Sequence, residues 1–207
     1  DKNVEIGDNC EIMPHASIMS GARLGKGNRV FNGAVIAAEP QDFKYKGDTT
    51  LAVIGDDNVI RENVVINRAT TPEGQTFIGN GNFLHEGVHI SHDTHIGNHC
   101  VLGYGSKVSG NCFFEDYAIF GGNVLASQGS RVGTWSMTQT GCRFRKDVPP
   151  YIVAALEPIS YYGVNSVILS HQGLSEKVIK HISHAYRIVY QGKTSIFDAL
   201  LMIKDQV

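Results

Sequence analysis

Large apolar residues recur at every sixth position of the chain, and a small or thin residue follows each of them four places later. Between residues 78 and 144 the apolar class comprises Ile78, Leu84, Ile90, Ile96, Leu102, Val108, Phe114, Phe120, Val132 and Phe144, with Ala126 and Thr138 as weaker members. The small class comprises Asn82, Val88, Thr94, Cys100, Ser106, Cys112, Ala118, Val124, Ser130, Ser136 and Cys142. A helix would show a period of 3.6 and an amphipathic strand a period of 2, so a sustained period of six predicts a repeat architecture.

Six residues make one short strand and its corner, and three such sides close a triangular coil. The pattern therefore predicts an all-β solenoid, a parallel β-helix of hexapeptide repeats in which the aliphatic side chains of successive coils stack on one another. Neighbouring coils then lie about 4.8 Å apart and hydrogen-bond to each other. Chance alternation in a loop-rich α/β protein is the alternative, and it would not be expected to keep phase over so many positions.

The same six-residue phase opens the chain, running from Ile6 to Ile36, and it is later interrupted twice. The breaks cover residues 38–51 and residues 68–77, so we expect two loops extruded from an otherwise regular prism. Insertions in a solenoid often line its binding face. Asp1 already lies inside the repeat, which leads us to expect that a few natural N-terminal residues precede it.

Consecutive prolines end the strand pattern at Asp147-Val148-Pro149-Pro150, because proline cannot donate a hydrogen bond to a ladder. We therefore predict a hexapeptide-repeat β-helix over residues 1–150 and a short C-terminal α-helical region over residues 151–207.

Within this C-terminal region, apolar residues at a 3.6 period predict a helix that begins after Ser175 and ends near Gly192. A second helix is expected after Thr194 or Ser195. We expect these helices to cover the open end of the solenoid and to pack on neighbouring chains.

Composition and charge narrow the class of protein. The chain has 207 residues, of which 42% are hydrophobic and 18% charged, and its net charge is −2. These values are ordinary for a globular protein and give no electrostatic footprint for nucleic acid. No apolar stretch is long enough to span a membrane and no signal peptide opens the chain, so we expect a cytoplasmic protein without stable membrane insertion. All four cysteines fall on the small phase of the repeat, which predicts buried, compact hydrophobes and not disulfides.

Five of the nine histidines lie close together in the sequence, at His85, His89, His92, His95 and His99. None occupies an apolar position of the repeat, so all are available to a ligand. One hypothesis is a zinc site shared between chains, as in the γ-class carbonic anhydrases, with ligands spaced by whole coils. The residues one and two coils after His92 are Gly110 and Gln128, which are not zinc ligands. We therefore expect no metal and no cofactor, and elemental analysis for zinc tests this.

A second hypothesis takes His92 as a general base and Asp93 as the carboxylate that fixes its tautomer. A neighbouring His-Asp pair is often simply solvated. The length of a coil supports the hypothesis. Gly110 follows His92 by one coil of three hexapeptides and is therefore expected directly above it. Its backbone N–H is a candidate donor to an oxyanion.

Several segments together resemble the UDP-N-acetylglucosamine O-acyltransferases of lipid A biosynthesis, and the resemblance covers essentially the whole chain. The segments are Gln41-Asp42-Phe43-Lys44-Tyr45-Lys46-Gly47, Asn58-Val59-Ile60-Arg61-Glu62-Asn63-Val64, Gly87-Val88-His89-Ile90-Ser91-His92-Asp93, Tyr117-Ala118-Ile119-Phe120-Gly121-Gly122, Asp147-Val148-Pro149-Pro150-Tyr151 and Tyr162-Gly163-Val164-Asn165. The resemblance implies a homotrimer of left-handed β-helices that moves a 3-hydroxyacyl group from acyl carrier protein to the 3-hydroxyl of the UDP-sugar.

The resemblance also implies roles for individual residues. His92 matches the general base, Asp93 its orienting carboxylate and Gly110 the oxyanion donor. The residues that match sugar or cleft contacts are His89, Asp42, Gln41 and Lys44. The residues that match positions near the nucleotide or the acyl-pantetheine arm are Gly122, Gln128 and Asn165. Thr140 matches a position past which the acyl chain runs, where relatives often carry glycine, so it is a candidate determinant of acyl length. A solvent-facing Thr140 is the alternative.

The chain departs from the family pattern at Asn111, Ser127, Val167 and His171-Gln172. These departures touch substrate contacts and leave the base and its carboxylate in place. A divergent paralogue that acylates another nucleotide-linked sugar, or that uses acyl-CoA, is therefore an alternative. A trimeric scaffold without catalysis is a further one.

Overall fold

The computed structural model describes residues 2–192 and 194–206, which form three parallel sheets closed into a triangular β-helix and then three helices. Sheet 1 contains the strands β1 (Glu5–Ile6), β4 (Ala22–Leu24), β7 (Leu51–Ile54), β10 (Gln75–Ile78), β13 (His95–Ile96), β16 (Phe113–Phe114) and β19 (Arg131–Val132). Sheet 2 contains β2 (Glu11–Ile12), β5 (Arg29–Val30), β8 (Val59–Ile60), β11 (Phe83–Leu84), β14 (Val101–Leu102), β17 (Ile119–Phe120), β20 (Met137–Thr138), β22 (Ile152–Ala155) and β23 (Ser160–Val164). Sheet 3 contains β3 (Ser17–Ile18), β6 (Val35–Ala38), β9 (Val65–Asn67), β12 (His89–Ile90), β15 (Lys107–Val108), β18 (Leu125–Ala126) and β21 (Arg143–Phe144). Asp1, on which the expectation about the N-terminus rests, lies outside the described residues.

The register of the sheets gives the length of each coil. Phe83 pairs with Val101, and Val101 with Ile119, so a regular coil is three hexapeptides long. Ala22 pairs with Ala52, which lies five hexapeptide lengths later, and Leu51 pairs with Gln75, which lies four hexapeptide lengths later. The first insertion therefore adds the length of two hexapeptides and the second adds that of one, at the places where the sequence pattern predicted extruded loops.

The interior of the prism follows the two predicted classes. Every member of the apolar class from Ile78 to Phe144 is at most 3% exposed. The small class includes asparagines, which are stabilised here by one another. The buried Asn58 amide donates to Asn28 Oδ1 at 3.0 Å, and that of Asn82 donates to Asn58 Oδ1 at 3.0 Å. Each buried amide thus finds a partner one coil away, which avoids the cost of an unpaired polar group.

The first coil is more open than the repeat pattern predicts. Ile6 is 45% exposed and Ile12 is 39% exposed, because no coil precedes them in the described chain. Cys10 is only partly buried for the same reason, so the expectation that all four cysteines are buried is wrong for this residue. Burial raises the pKa of Cys100 to about 12 and that of Cys112 to about 11, so both thiols stay protonated at neutral pH.

The prolines do not end the ladder completely. Val148 bridges to Val132, and β22 continues sheet 2 by pairing in parallel with β20. β23 then adds an antiparallel strand on β22. The expectation that the strand pattern stops at Pro150 is therefore wrong by two strands. Proline lacks only its own N–H, and the residues on either side of the Pro149-Pro150 pair still form bonds to the coil below.

The C-terminal helices are α1 (Ser166–His171), α2 (Glu176–Gln191) and α3 (Ile196–Gln206). The predictions for α2 and α3 are confirmed, and Ser175 caps α2 by accepting a hydrogen bond from the Val178 amide. α1 was not predicted, since six residues are too few to show a period. Tyr186 on α2 donates to the Pro150 carbonyl at 2.8 Å, which ties the helices to the last coil. No helix among the described residues is long and apolar enough to cross a membrane.

Each coil turns at three corners, named here by the sheet that precedes them. The first corner carries a stack of aromatic rings from His99 through Tyr117 and Trp135 to Tyr151. The third corner, between sheet 3 and the next strand of sheet 1, carries both extruded loops and His92. We call residues 39–50 the first loop and residues 68–74 the second loop.

Candidate functional site

His92 lies at the third corner, directly after β12, with its imidazole ring against Gly110 of the next coil. His92 is 8% exposed. An ideal Cβ built on Gly110 would lie 2.4 Å from His92 Cε1 and 2.6 Å from Nε2, distances that real Cβ atoms do not show. Residue 110 must therefore lack a side chain for the ring to occupy this position. The backbone amide of Asn111 donates to the His92 carbonyl at 3.1 Å, and this bond fixes how the third corners of the two coils stack.

The backbone amide of Gly110 has no hydrogen-bond acceptor within the part of the chain that the structure describes. It belongs to the residue that touches the imidazole. A free backbone donor is thus available beside His92, as a site that stabilises an oxyanion requires.

Asp93 contacts the other side of the imidazole. Its backbone is left-handed, with φ of +56°, and its Oδ2 lies 2.9 Å from His92 Nδ1. Aspartate is one of the few residues other than glycine that tolerate this conformation. A proton on Nδ1 is held by the carboxylate, so Nε2 is the nitrogen left to accept a proton from a substrate.

Two threonines hold Asp93 in this position. The hydroxyl of Thr70, in the second loop, donates to Asp93 Oδ2 at 2.6 Å, and the Thr70 amide lies 3.3 Å from both carboxylate oxygens. Thr76 Oγ1 accepts a hydrogen bond from the Asp93 amide at 2.9 Å. The second loop and β10 therefore both support the pairing of His92 with Asp93.

Asp42 brings the first loop to the same imidazole. Its Oδ2 lies 3.3 Å from His92 Nε2, and its Oδ1 accepts a hydrogen bond from the Lys44 amide at 2.7 Å. The side chains of Gln41 and Lys44 are exposed at the tip of this loop. The structure thus places Asp42 beside His92 and leaves the side chains of Gln41 and Lys44 exposed to solvent.

Arg68 fastens the first loop to the prism, and the sequence interpretation missed it. Arg68 is 9% exposed and donates to the Ala37 carbonyl at 3.0 Å, to Glu39 Oε1 at 3.3 Å and to the Tyr45 hydroxyl at 2.7 Å. Its guanidinium also lies 5.5 Å from the centre of the Tyr45 ring. These contacts span both ends of the segment that contains Asp42, so Arg68 fixes where that carboxylate can lie.

His89 lies on β12 at the edge of the same corner. Its Nε2 is 2.9 Å from Asn67 Oδ1, and the Asn67 amide donates to the Glu39 carbonyl at 2.6 Å. Burial, with a smaller contribution from Lys107, lowers the pKa of His89 below its ordinary value. His89 is therefore neutral at pH 7 and acts as a hydrogen-bonding group and not as a cation.

The remaining predicted residues lie apart from His92 within one chain. Gln128 shares the third corner, where the next residue, Gly129, donates to the Gly110 carbonyl, but its side chain is exposed. Gly122 lies at the second corner, where a Cβ would strike the Tyr104 ring. Thr140 is exposed at the same corner, one coil further on. Asn165 is buried at the first corner, and its amide donates to the Trp135 carbonyl at 3.0 Å.

The other histidines of the cluster take part in ring stacking. His95 lies between Phe77 and Phe113, with ring centroids 4.8 and 4.6 Å away, and His99 stacks on Tyr117 at 5.1 Å. Among the described residues no group of three histidine, cysteine, aspartate or glutamate side chains is arranged to hold a metal ion.

Comparison with known proteins identifies two families along the chain. Residues 147–207 match the family described as UDP N-acetylglucosamine O-acyltransferase, domain 2, and residues 3–38 and 75–110 match the bacterial transferase hexapeptide family. An acyl-[acyl-carrier-protein]–UDP-N-acetylglucosamine O-acyltransferase from Pseudomonas paraeruginosa is 36% identical over 174 residues, which cover 84% of this chain and 67% of the relative. The chain belongs to the UDP-N-acetylglucosamine O-acyltransferase family. The resemblance noted in the sequence is thereby confirmed.

Solved structures of the family superimpose closely on this acyltransferase. The UDP-N-acetylglucosamine acyltransferase of Bacteroides fragilis is 44% identical, with a TM-score of 0.95 over 100% of this chain and 88% of that one. The enzyme of Francisella novicida is 36% identical, with a TM-score of 0.95 over 99% of this chain and 76% of that one. The predicted fold class, a left-handed parallel β-helix of hexapeptide repeats followed by a short helical region, is confirmed.

Proposed function

We propose that this chain transfers a 3-hydroxyacyl group from acyl carrier protein to the 3-hydroxyl of UDP-N-acetylglucosamine, the first step of lipid A biosynthesis, at the third corner of the β-helix. The observation that carries the proposal is the arrangement around one imidazole. Asp93 binds Nδ1, the free Gly110 amide lies against the ring, and Asp42 lies 3.3 Å from Nε2. Membership of the acyltransferase family supplies the substrates, since the Pseudomonas relative carries both in its name.

In the proposed reaction His92 Nε2 accepts the proton of the sugar 3-hydroxyl as its oxygen attacks the thioester carbonyl. The carbonyl electrons move to the oxygen, and the Gly110 amide donates to that oxyanion. The intermediate then collapses, the C–S bond breaks, and the imidazolium returns the proton to the leaving thiolate. General-base catalysis of this kind is worth about 10²- to 10⁴-fold, and one oxyanion donor is worth about 10²- to 10³-fold.

The sugar is held, in this proposal, by the residues nearest the base. Asp42 and the neutral His89 face the acceptor, and Gln41 and Lys44 reach it from the exposed tip of the first loop. The residues proposed to contact the nucleotide or the acyl-pantetheine arm are Gly122, Gln128 and Asn165. Gly122 and Asn165 lie at other corners of the same chain, so their contribution requires the corner of a neighbouring chain to approach His92.

A homotrimer provides such a neighbour, and we include it in the proposal together with a cytoplasmic location. Exposed apolar side chains on α3 support an assembled state, since Phe197 is 77% exposed and Leu201 is 61% exposed. Exposed apolar patches of this kind mark contact surfaces.

A divergent paralogue, which acylates another nucleotide-linked sugar or uses acyl-CoA, is the second candidate. It is favoured by the groove beside α1, where exposed His171 lies with Val167 and Glu176. Neither His171 nor Val167 supplies a permanent positive charge for a diphosphate.

A thioester-consumption assay that crosses acyl carrier protein and CoA donors with several UDP-sugars tests the function. The expected result is fastest turnover with the acyl carrier protein thioester and UDP-N-acetylglucosamine. A preference for acyl-CoA or for another UDP-sugar would support the paralogue, and no turnover with any pair would overturn the acyltransferase assignment for this chain.

A further inference from the structure

The second loop is folded around the carboxylate of Asp93. We propose that Thr70 is a positioning residue for the acyl transfer, which acts by clamping the Asp93 carboxylate against His92. The proposal rests on the function proposed for His92 and Asp93, and it assigns a catalytic consequence to a loop whose role the sequence pattern left open.

The hydroxyl of Thr70 is directed at one oxygen. Its hydroxyl donates to Asp93 Oδ2 at 2.6 Å, and the same oxygen lies 2.9 Å from His92 Nδ1. A separation of 2.6 Å is typical of a charge-assisted O–H···O⁻ hydrogen bond. Because Oδ2 contacts both the Thr70 hydroxyl and His92 Nδ1, the Thr70 hydroxyl helps to fix the position of this oxygen relative to the imidazole.

Gly74, at the end of the same loop, closes the clamp from the other side. An ideal Cβ on Gly74 would lie 2.7 Å from Asp93 Oδ1 and 3.4 Å from Thr71 Oγ1. A side chain at residue 74 would therefore press on Oδ1, the carboxylate oxygen that the Thr70 hydroxyl does not hold. Asp93 itself is partly buried, with 17% of its side chain exposed, so water does little to replace these contacts.

This arrangement predicts an effect on turnover and not on substrate binding. Without the Thr70 hydroxyl, the carboxylate keeps only the longer contacts of the Thr70 amide, so the Asp93 side chain can rotate further from Nδ1. His92 then loses part of the contact that fixes its tautomer and orientation. The sugar contacts from Asp42 and His89 do not involve Thr70. The loss should therefore appear in kcat, with KM little changed.

Three threonine variants test the clamp by steady-state kinetics. Thr70→Val keeps the shape and loses the hydroxyl, and we expect kcat to fall about tenfold, as for the loss of a hydrogen bond to a charged group. Thr70→Ser should restore most of kcat because it returns the donor. Thr71→Val is the matched control, since Thr71 is an exposed neighbour on the same loop. We expect it to leave kcat unchanged. A Thr70→Val enzyme with native kcat, or equal losses in Thr70→Val and Thr70→Ser, would overturn the proposal.

A double-mutant cycle separates positioning from general damage to the loop. Asp93→Asn alone should lower kcat about 10²-fold or more. If Thr70 acts through Asp93, adding Thr70→Val should then cost little more. The same full tenfold loss in both backgrounds would show that Thr70 acts elsewhere. Full activity of Asp93→Asn would overturn the role proposed for Asp93 itself. A fall in activity with Asp93→Asn but not with Thr70→Val would leave that role standing and remove the clamp.

Gly74→Ala gives an independent arm that removes no hydrogen-bonding group. We expect it to lower kcat at unchanged KM, and Asp93→Asn should again mask the effect. Native kcat in Gly74→Ala would contradict the second side of the clamp. The melting temperature of each variant, measured alongside, identifies any variant that loses activity because it unfolds. Thr70→Ser is the reference for a correctly folded variant.

Discussion

Asp42 Oδ2 lies 3.3 Å from His92 Nε2, the nitrogen proposed to accept a proton from the acceptor hydroxyl. With Asp93 on Nδ1, the imidazole lies between two carboxylates, one on the first loop and one on the residue that follows His92. A sugar hydroxyl that reaches Nε2 must therefore come within reach of Asp42 as well. In the proposed reaction, the position of the first loop would therefore affect how the acceptor meets His92, so we expect the residue that fastens the loop to affect substrate binding.

Arg68 is that residue, and Arg68→Met should raise KM for the UDP-sugar. Methionine keeps much of the buried volume but loses the bonds to Ala37, Glu39 and Tyr45. Hydrogen bonds to a charged group are worth about 1.5 to 3 kcal/mol, so a rise of about tenfold or more is expected. Steady-state kinetics at saturating acyl donor measures it. Arg29→Met, which removes an exposed arginine from the Glu11 ion pair, is the control. An unchanged KM would show that the loop is held without Arg68.

His92→Ala should lower kcat by at least about 10²-fold, because it removes the proposed general base. His95→Ala and His99→Ala should lose little, since those rings stack on aromatic neighbours away from Asp93. The measurement is kcat for the three variants, with the melting temperature of each. Equal losses at all three positions would point to a metal cluster or to instability, and elemental analysis for zinc would tell these apart.

The repeat made most of this architecture predictable. A six-residue period specifies the coil, and the two breaks in phase locate both loops, because each coil must stack the same classes of side chain. The coil length also predicts that Gly110 lies over His92. Arg68 and Thr70 were not predictable in this way. Arg68 joins the second loop to the first, and Thr70 joins the second loop to Asp93. The sequence period does not show what a loop residue contacts.

The hints for these residues were weak. Thr70 lies four places after Ile66, on the small phase of the repeat, and the second loop adds only the length of one hexapeptide. α1 and the strands β22 and β23 were missed because short elements around prolines show neither period. The predicted ligand contacts lie at three corners of one chain. How they could form one site was not predictable from the sequence, since it depends on which corners of neighbouring chains meet.

His171→Arg should lower KM for the UDP-sugar. His171 is exposed at the end of α1 beside Glu176, and an imidazole cannot form the bidentate bonds that arginine gives to phosphate. The pH profile of kcat should be unchanged because the substitution leaves His92 and Asp93 as they are. His181→Arg, the same change on exposed α2, is the control. A raised or unchanged KM would argue that another group holds the phosphates.

The chain should be a homotrimer in solution. Gly122 and Asn165 lie at different corners from His92, so the site proposed above requires neighbouring chains. Light scattering at micromolar concentration should give three times the mass of one chain. Phe197→Ser and Leu201→Ser, at exposed positions of α3, test whether the helices contribute to the assembly. A monomer that retains full activity would contradict both the homotrimer and a site shared between chains.

Thr140→Gly should shift the preferred acyl donor toward longer chains. Thr140 is exposed at the second corner, and a Cβ on Gly121 would lie 2.7 Å from the Thr140 hydroxyl, so this side chain occupies the surface above that glycine. If the acyl chain runs along this surface, the methyl and hydroxyl groups shorten its path. Each methylene that is no longer buried forfeits about 0.8 kcal/mol, so the loss of two costs roughly tenfold in selectivity.

An acyl-length series with the wild-type and Thr140→Gly enzymes measures the shift as kcat/KM for each donor. Thr140→Ser separates the two parts of the side chain, because it keeps the hydroxyl and removes the methyl. We expect Thr140→Ser to lie between the other two enzymes, since a remaining hydroxyl at the end of an apolar path still needs a partner or water. Gln139→Gly, an exposed neighbour on the same corner, controls for added backbone freedom. The same optimum for the wild-type and Thr140→Gly enzymes would mean that the groove ends elsewhere and that Thr140 simply faces solvent.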